Sequence, residues 1–159
     1  MKIKPLFLYI VSMIGLLACG HRPNQAGNAI QPEEKPVEAT TLTLDLKAFS
    51  EIPEEIIGCS CAFSVDSSTY EDGRFLYLDD MEKIAYVNIN GTLTRLLVTE
   101  RHSGERNLTV RAANETYRIS LEAGQLREYG EVTYLKGILT VTDAHGTAAQ
   151  LSIFGTCGC

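Results

Sequence analysis

Hydrophobic and polar residues alternate in short runs over most of the chain. In Thr41-Leu42-Thr43-Leu44-Asp45-Leu46-Lys47 the leucines occupy every second position, so Leu42, Leu44 and Leu46 share one face of an extended strand. Arg74 to Leu78 forms a second run that stops at Asp79-Asp80. Ile84 to Ile89 is followed by Asn90-Gly91 and then by Thr92 to Val98. An Asn-Gly pair between two apolar runs marks a two-residue hairpin, because both central residues of the favoured turn take positive φ. Leu108, Val110 and Ala112 alternate, Ala113-Asn114 turns, and Tyr117, Ile119 and Leu121 alternate again. Val132 to Val141 is rich in β-branched and aromatic residues, and Asp143-Ala144-His145-Gly146 turns the chain into Leu151, Ile153 and Phe154. About eight or nine strands at this spacing predict an all-β fold, an antiparallel sandwich or small barrel spanning residues 41–159. Helical signal is confined to Ser50–Ile57, where Ser50 as a cap and acids in the first turn predict a single turn.

The first forty residues follow a different pattern. Lys2 and Lys4 precede an almost wholly apolar stretch from Pro5 to Leu17. Thirteen helical residues would span ~20 Å, short of the ~30 Å hydrocarbon core of a bilayer. A charged start, a short apolar stretch and small residues read as an export signal over residues 1–18. Its end, Leu16-Leu17-Ala18-Cys19, resembles the lipobox of bacterial lipoproteins. That resemblance implies cleavage before Cys19 and acylation of Cys19, and so attachment to a lipid bilayer. Gly20 stands where some inner-membrane lipoproteins carry Asp, so the outer membrane is the expected location. From Cys19 to Thr40 the chain holds Pro23, Pro32 and Pro36, three glutamates and few large apolar residues. Such a segment buries too little to offset its chain entropy and reads as a tether.

Charge narrows the choice of partners. Fourteen Lys and Arg against twenty Asp and Glu give a net charge of −6. Cleavage before Cys19 would remove two lysines and no acid, making the chain more negative still. A net acidic surface repels phosphate, so nucleic acid is not an expected partner.

Four further cysteines form two Cys-x-Cys pairs, Cys59-Ser60-Cys61 and Cys157-Gly158-Cys159. Residues i and i+2 of a strand share a face, so each pair presents two sulfurs in one direction. If the pairs are neighbours, disulfides are the expected chemistry, because an exported domain sits where disulfides persist. Antiparallel neighbours would pair Cys59 with Cys159 and Cys61 with Cys157. Parallel ones would pair Cys59 with Cys157 and Cys61 with Cys159, and a third pairing would close a strained ring within each Cys-x-Cys. The competing chemistry is a four-cysteine site for zinc or Cu(I), although familiar zinc sites space their cysteines by two to four residues. A redox role for Cys157-Gly158-Cys159 is the third reading, and no basic residue adjoins that pair in sequence to lower a thiol pKa.

Other chemistry leaves little trace. His21 falls in the tether, and His102 and His145 fall in expected turns. Zincin, nucleophile-elbow, P-loop and dinucleotide-binding patterns are missing, and no cofactor is implied. Glu54-Glu55 and Asp79-Asp80 read as solvated strand ends. The segment from Glu100 to Asn107 reads as a charged loop between two strands, and loops on a rigid scaffold are where binding concentrates. Ser103-Gly104-Glu105-Arg106 within it resembles the Ser-Gly-x-Arg-Tyr loop of membrane-bound C-type lysozyme inhibitors, with Asn107 at the tyrosine position. That resemblance implies a small antiparallel barrel and a binding loop acting through Ser103 and Arg106; the family's later lysine has no counterpart. As a whole, the body resembles uncharacterised bacterial lipoproteins that begin with Cys-x-Cys and end in Cys-Gly-Cys, a likeness that implies no activity. The expected protein is therefore an exported lipoprotein for binding or envelope scaffolding, with an unidentified protein partner and without enzymatic activity. An inhibitor-like module and a thiolate metal protein are its rivals.

Overall fold

Alternation of this kind builds nine strands and one short helix in the computed structural model, which describes residues 43–159. The expected export signal, Cys19, His21 and the tether lie outside the described residues. The strands are β1 (Leu46–Lys47), β2 (Ser60–Ser64), β3 (Tyr77–Asp79), β4 (Ile84–Ile89), β5 (Thr92–Ser103), β6 (Asn107–Ala113), β7 (Tyr117–Tyr129), β8 (Val132–Asp143) and β9 (Ala148–Gly158). The helix, α1, runs Ser67–Glu71 between β2 and β3. Each strand from β2 to β9 pairs antiparallel with its successor, and β9 returns to β2. Eight strands thus close into an up-and-down barrel, which removes the free sheet edges. β1 is an extra strand on β4, taking Ile89 and Asn88, the two residues of β4 beyond the end of its pairing with β3 at Val87.

Every second residue points inward and fills the barrel. Phe63, Val87, Val110, Leu121, Leu139 and Ile153 come from six different strands and are fully buried in one cluster. Each such side chain contributes about 1.5–3 kcal/mol relative to exposure. Two inward positions carry glycine because nothing larger fits. A Cβ on Gly137 would overlap the Glu122 carbonyl oxygen, and one on Gly155 the Ala62 carbonyl oxygen. A second, smaller apolar cluster lies outside the wall, where Ala62, Leu78 and Tyr86 face outward from β2, β3 and β4. The chain preceding β2 covers it with Phe49 and Ile56, and α1 adds Tyr70.

The observed fold matches the expected all-β class and settles it as a barrel. Several local expectations need correction. Thr41–Lys47 does not form a full strand within the described residues, because only two positions on β4 are open to it; Leu44 and Leu46 pack against the barrel core instead. Ser50–Ile57 makes the single turn expected of it, but that turn starts at Pro53 and not at Ser50. Pro53 biases the residue before it away from helical geometry, leaving a single turn closed by the Ile56 N–H on the Pro53 carbonyl, 3.0 Å. His102 belongs to strand β5, which runs five residues beyond the expected end at Val98. β2 and α1 both follow segments without a readable period, although Asp66 caps α1 by accepting from the Thr69 N–H at 2.8 Å.

Candidate functional site

The two barrel ends differ. At one end the β4–β5, β6–β7 and β8–β9 turns gather around Thr43 and Leu44, and Leu44 and Leu46 pack onto the core. That end is closed by the entering chain. At the other end the β5–β6 and β7–β8 hairpins and the end of β9 surround an open mouth of about 310 Å³. Leu108 and Leu135 line its depths, and its rim carries Ser103, Glu105, Arg106, Glu128 and Glu131.

At the floor of the mouth sits a buried charge pair. Asp79 is fully buried, and its Oδ2 accepts from the Arg101 Nη1 at 2.8 Å and from the Tyr77 hydroxyl at 2.7 Å. The other oxygen, Oδ1, accepts from the Met81 N–H at 2.8 Å. Three donors thus satisfy a carboxylate that water does not reach. Tyr77 is buried as well, and burial first, then the Asp79 charge, pushes its phenol well above the ordinary range. It keeps its proton and remains a donor. Next in sequence, Asp80 is a turn cap: its Oδ1 accepts from the N–H groups of Glu82, Lys83 and Ile84. The expectation that Asp79-Asp80 is a solvated strand end therefore fails for Asp79. Glu55 is also engaged, its Oε2 accepting from the Tyr86 hydroxyl at 2.5 Å and the Arg95 Nε at 2.8 Å. The hydrogen bond from Tyr86, then that from Arg95, holds its carboxyl below the usual value.

Arg101 reaches the interior because strand β5 slips. Val98 pairs with Ala112 and Glu100 with Arg111, leaving Thr99 as an extra residue in a β-bulge. Strict alternation from Leu96 and Val98 would turn Glu100 and His102 inward; the bulge substitutes Arg101 and Ser103, opposite Val110 and Leu108. The loop expected over 100–107 is consequently much shorter. Strand pairing runs to Ser103 and resumes at Asn107, and the connection is closed by the Gly104 N–H on the Asn107 carbonyl at 2.8 Å. Ser103 and Arg106, the residues singled out for binding, are exposed and both line the mouth. His145 stands in the expected turn at the opposite end.

The two disulfides close the barrel between β2 and β9. They join Cys59 to Cys159 and Cys61 to Cys157, the pairing that antiparallel neighbours require. All four sulfurs are consumed, so no thiolate remains for the zinc or Cu(I) site considered above. Beside the inner bond, the Arg101 Nη2 donates to the Cys61 Sγ at 2.8 Å. Compared with family models, curated proteins and solved structures, the chain matches none. The site must therefore be read from its own chemistry. Arg101 fixes the floor with one nitrogen on Asp79 and another on sulfur, while the rim offers one guanidinium, three carboxylates and a hydroxyl.

Proposed function

We propose that this protein is an exported lipoprotein, anchored to the outer membrane through acylated Cys19, whose barrel mouth binds a small zwitterionic ligand without turning it over. The observation that carries this reading is the mouth itself: an open cavity with a charged rim and with Leu108 and Leu135 below it, over a buried Asp79–Arg101 pair. Burying such a pair costs several kcal/mol per ion before attraction is counted, so a hydrophobic floor would serve stability equally well. A guanidinium held in place from below suits recognition of a carboxylate. Glu105, Glu128 and Glu131 on the rim suit an ammonium or several hydroxyls. Two disulfides suit an oxidising compartment, as the lipobox resemblance also implies. Thr43 lies at the closed end, so the described chain begins on the far side of the domain from the mouth.

Two measurements test the two halves of this reading. Metabolic labelling with an alkynyl fatty acid in an exporting bacterium should mark the full chain and leave Cys19→Ser unmarked; equal labelling of both removes the anchor. A thermal-shift screen of amino acids, short peptides and amino sugars should find a ligand whose shift disappears in Glu131→Ala. A shift that persists in Glu131→Ala and Arg106→Ala would place binding elsewhere.

One observation favours a second reading. Ser103, Gly104 and Arg106 all stand at the mouth, so the lysozyme-inhibitor resemblance maps onto the same site. In that reading the β5–β6 hairpin engages a muramidase cleft, and Ser103→Ala with Arg106→Ala should abolish the complex. Unchanged binding in the double variant, or no binding to a panel of muramidases, ends it.

A further inference from the structure

We propose that the Cys61–Cys157 disulfide is a thiol-exchange site, with Cys157 the sulfur attacked from the mouth and Cys61 the thiolate that leaves onto Arg101. Three observations carry this. Cys157 lines the mouth, as does the exposed Cys159, and keeps 9% of its surface exposed, whereas Cys61 is fully buried behind it. The Arg101 guanidinium donates to the Cys61 Sγ at 2.8 Å. Asp79 holds the same guanidinium through its other nitrogen, fixing the fork so that it faces sulfur. Exchange is fastest when the leaving thiol has a low pKa and the attacked sulfur is accessible. A cationic neighbour lowers a thiol pKa, and here it adjoins one sulfur of the pair only.

The electron balance is simple. An incoming thiolate bonds to the Cys157 Sγ, the Cys61–Cys157 bond breaks, and its electron pair stays on the Cys61 Sγ as thiolate. A second thiol then attacks the mixed disulfide at the incoming sulfur and releases Cys157. Two thiols become one disulfide, and the protein gains two electrons and two protons. Cys59–Cys159 keeps β2 and β9 in register meanwhile, so at the mixed-disulfide stage the Cys61 thiolate stays beside Cys157 and can expel the incoming thiol, reversing the first step. The substrate class is a thiol small enough for the mouth, or a cysteine on a flexible peptide. This inference needs the mouth open but no zwitterionic ligand in it, so the two readings fail separately.

The test uses the full chain with glutathione, quenched in acid, alkylated and mapped by peptide mass. Glutathione should appear on Cys157 and free thiol on Cys61. Arg101→Gln should slow opening of this pair about tenfold, with Arg101→Lys between it and the parent, while opening of Cys59–Cys159 keeps its rate. Adduct on Cys61, opening confined to Cys59–Cys159, or equal rates for all three proteins would overturn the proposal. If Arg101→Gln does not fold, the adduct position in the unaltered chain still decides.

Discussion

Asp79 shows what a single residue's surroundings can hide. In sequence it is one of two adjacent acids after an apolar run, indistinguishable from Asp80. In the fold one is fully buried on three donors and the other caps a turn, because Tyr77, two residues back on the same strand face, and Arg101, twenty-two residues on, meet only inside the barrel. Removing one member of such a pair leaves a buried charge uncompensated, so Asp79→Asn should cost about 3–5 kcal/mol in urea unfolding. Replacing the whole unit (Asp79→Leu, Arg101→Met and Tyr77→Phe together) should recover most of that loss, since no charge is then stranded and only the part-buried Met81 N–H loses its acceptor. If the triple variant is less stable than Asp79→Asn, the pair is holding the fold and not the floor of a site. Asp80 carries a pH prediction. Burial alone would raise its pKa, but N–H bonds from Ile84, Glu82 and Lys83 outweigh this and hold it low. The unfolded chain therefore binds the proton more readily, and the stability Asp80 adds is present above about pH 4 and lost as pH falls through the folded value. Asp80→Asn should lower the urea midpoint at neutral pH and leave it nearly unchanged in strong acid. Equal losses at both would mean that its charge is irrelevant.

At the scale of elements, alternation makes most strands legible. Ile84–Ile89, Asn90-Gly91 and the strand after it stand where the hairpin signal puts them, with both turn residues at positive φ, 53° and 83°. Legibility ends at Thr99. The bulge resets the period there, so Glu100 to Ser103 reads as a polar loop while Arg101 turns inward. β2 is legible only through its cysteines, because Cys61, Ala62, Phe63 and Ser64 are all buried, the outer face by Phe49 and its neighbours, and no alternation survives. Glycines show the same dependence on what lies opposite. Gly155→Ala would drive a Cβ into the backbone of β2, which cannot swing aside, so a loss of about 3 kcal/mol or failure to fold is expected. Gly124→Ala, also within a strand, meets nothing within 4 Å and should be neutral or gain up to ~1 kcal/mol. Similar melting temperatures for the two variants would refute the close approach of β2 at Gly155.

For the whole molecule the disulfides decide how the barrel is closed. The two bonds are nested, joining residues 100 and 96 apart. In the chain-entropy model the first of them to form stabilises by about 4–5 kcal/mol, because it closes a loop of roughly a hundred residues. The second then closes a ring of only a few residues and adds about half as much. Removing either pair alone should therefore cost about 2 kcal/mol, whichever is removed. Removing both should cost more than twice that, because the long loop is then open in the unfolded chain. Urea midpoints of Cys59→Ala/Cys159→Ala, Cys61→Ala/Cys157→Ala and the quadruple variant measure this directly. Additive losses would show that each bond acts by local packing instead. The excess predicted for the quadruple variant also bears on the mouth: if one bond suffices to close the barrel, the inner one is free to react while the outer holds the wall together.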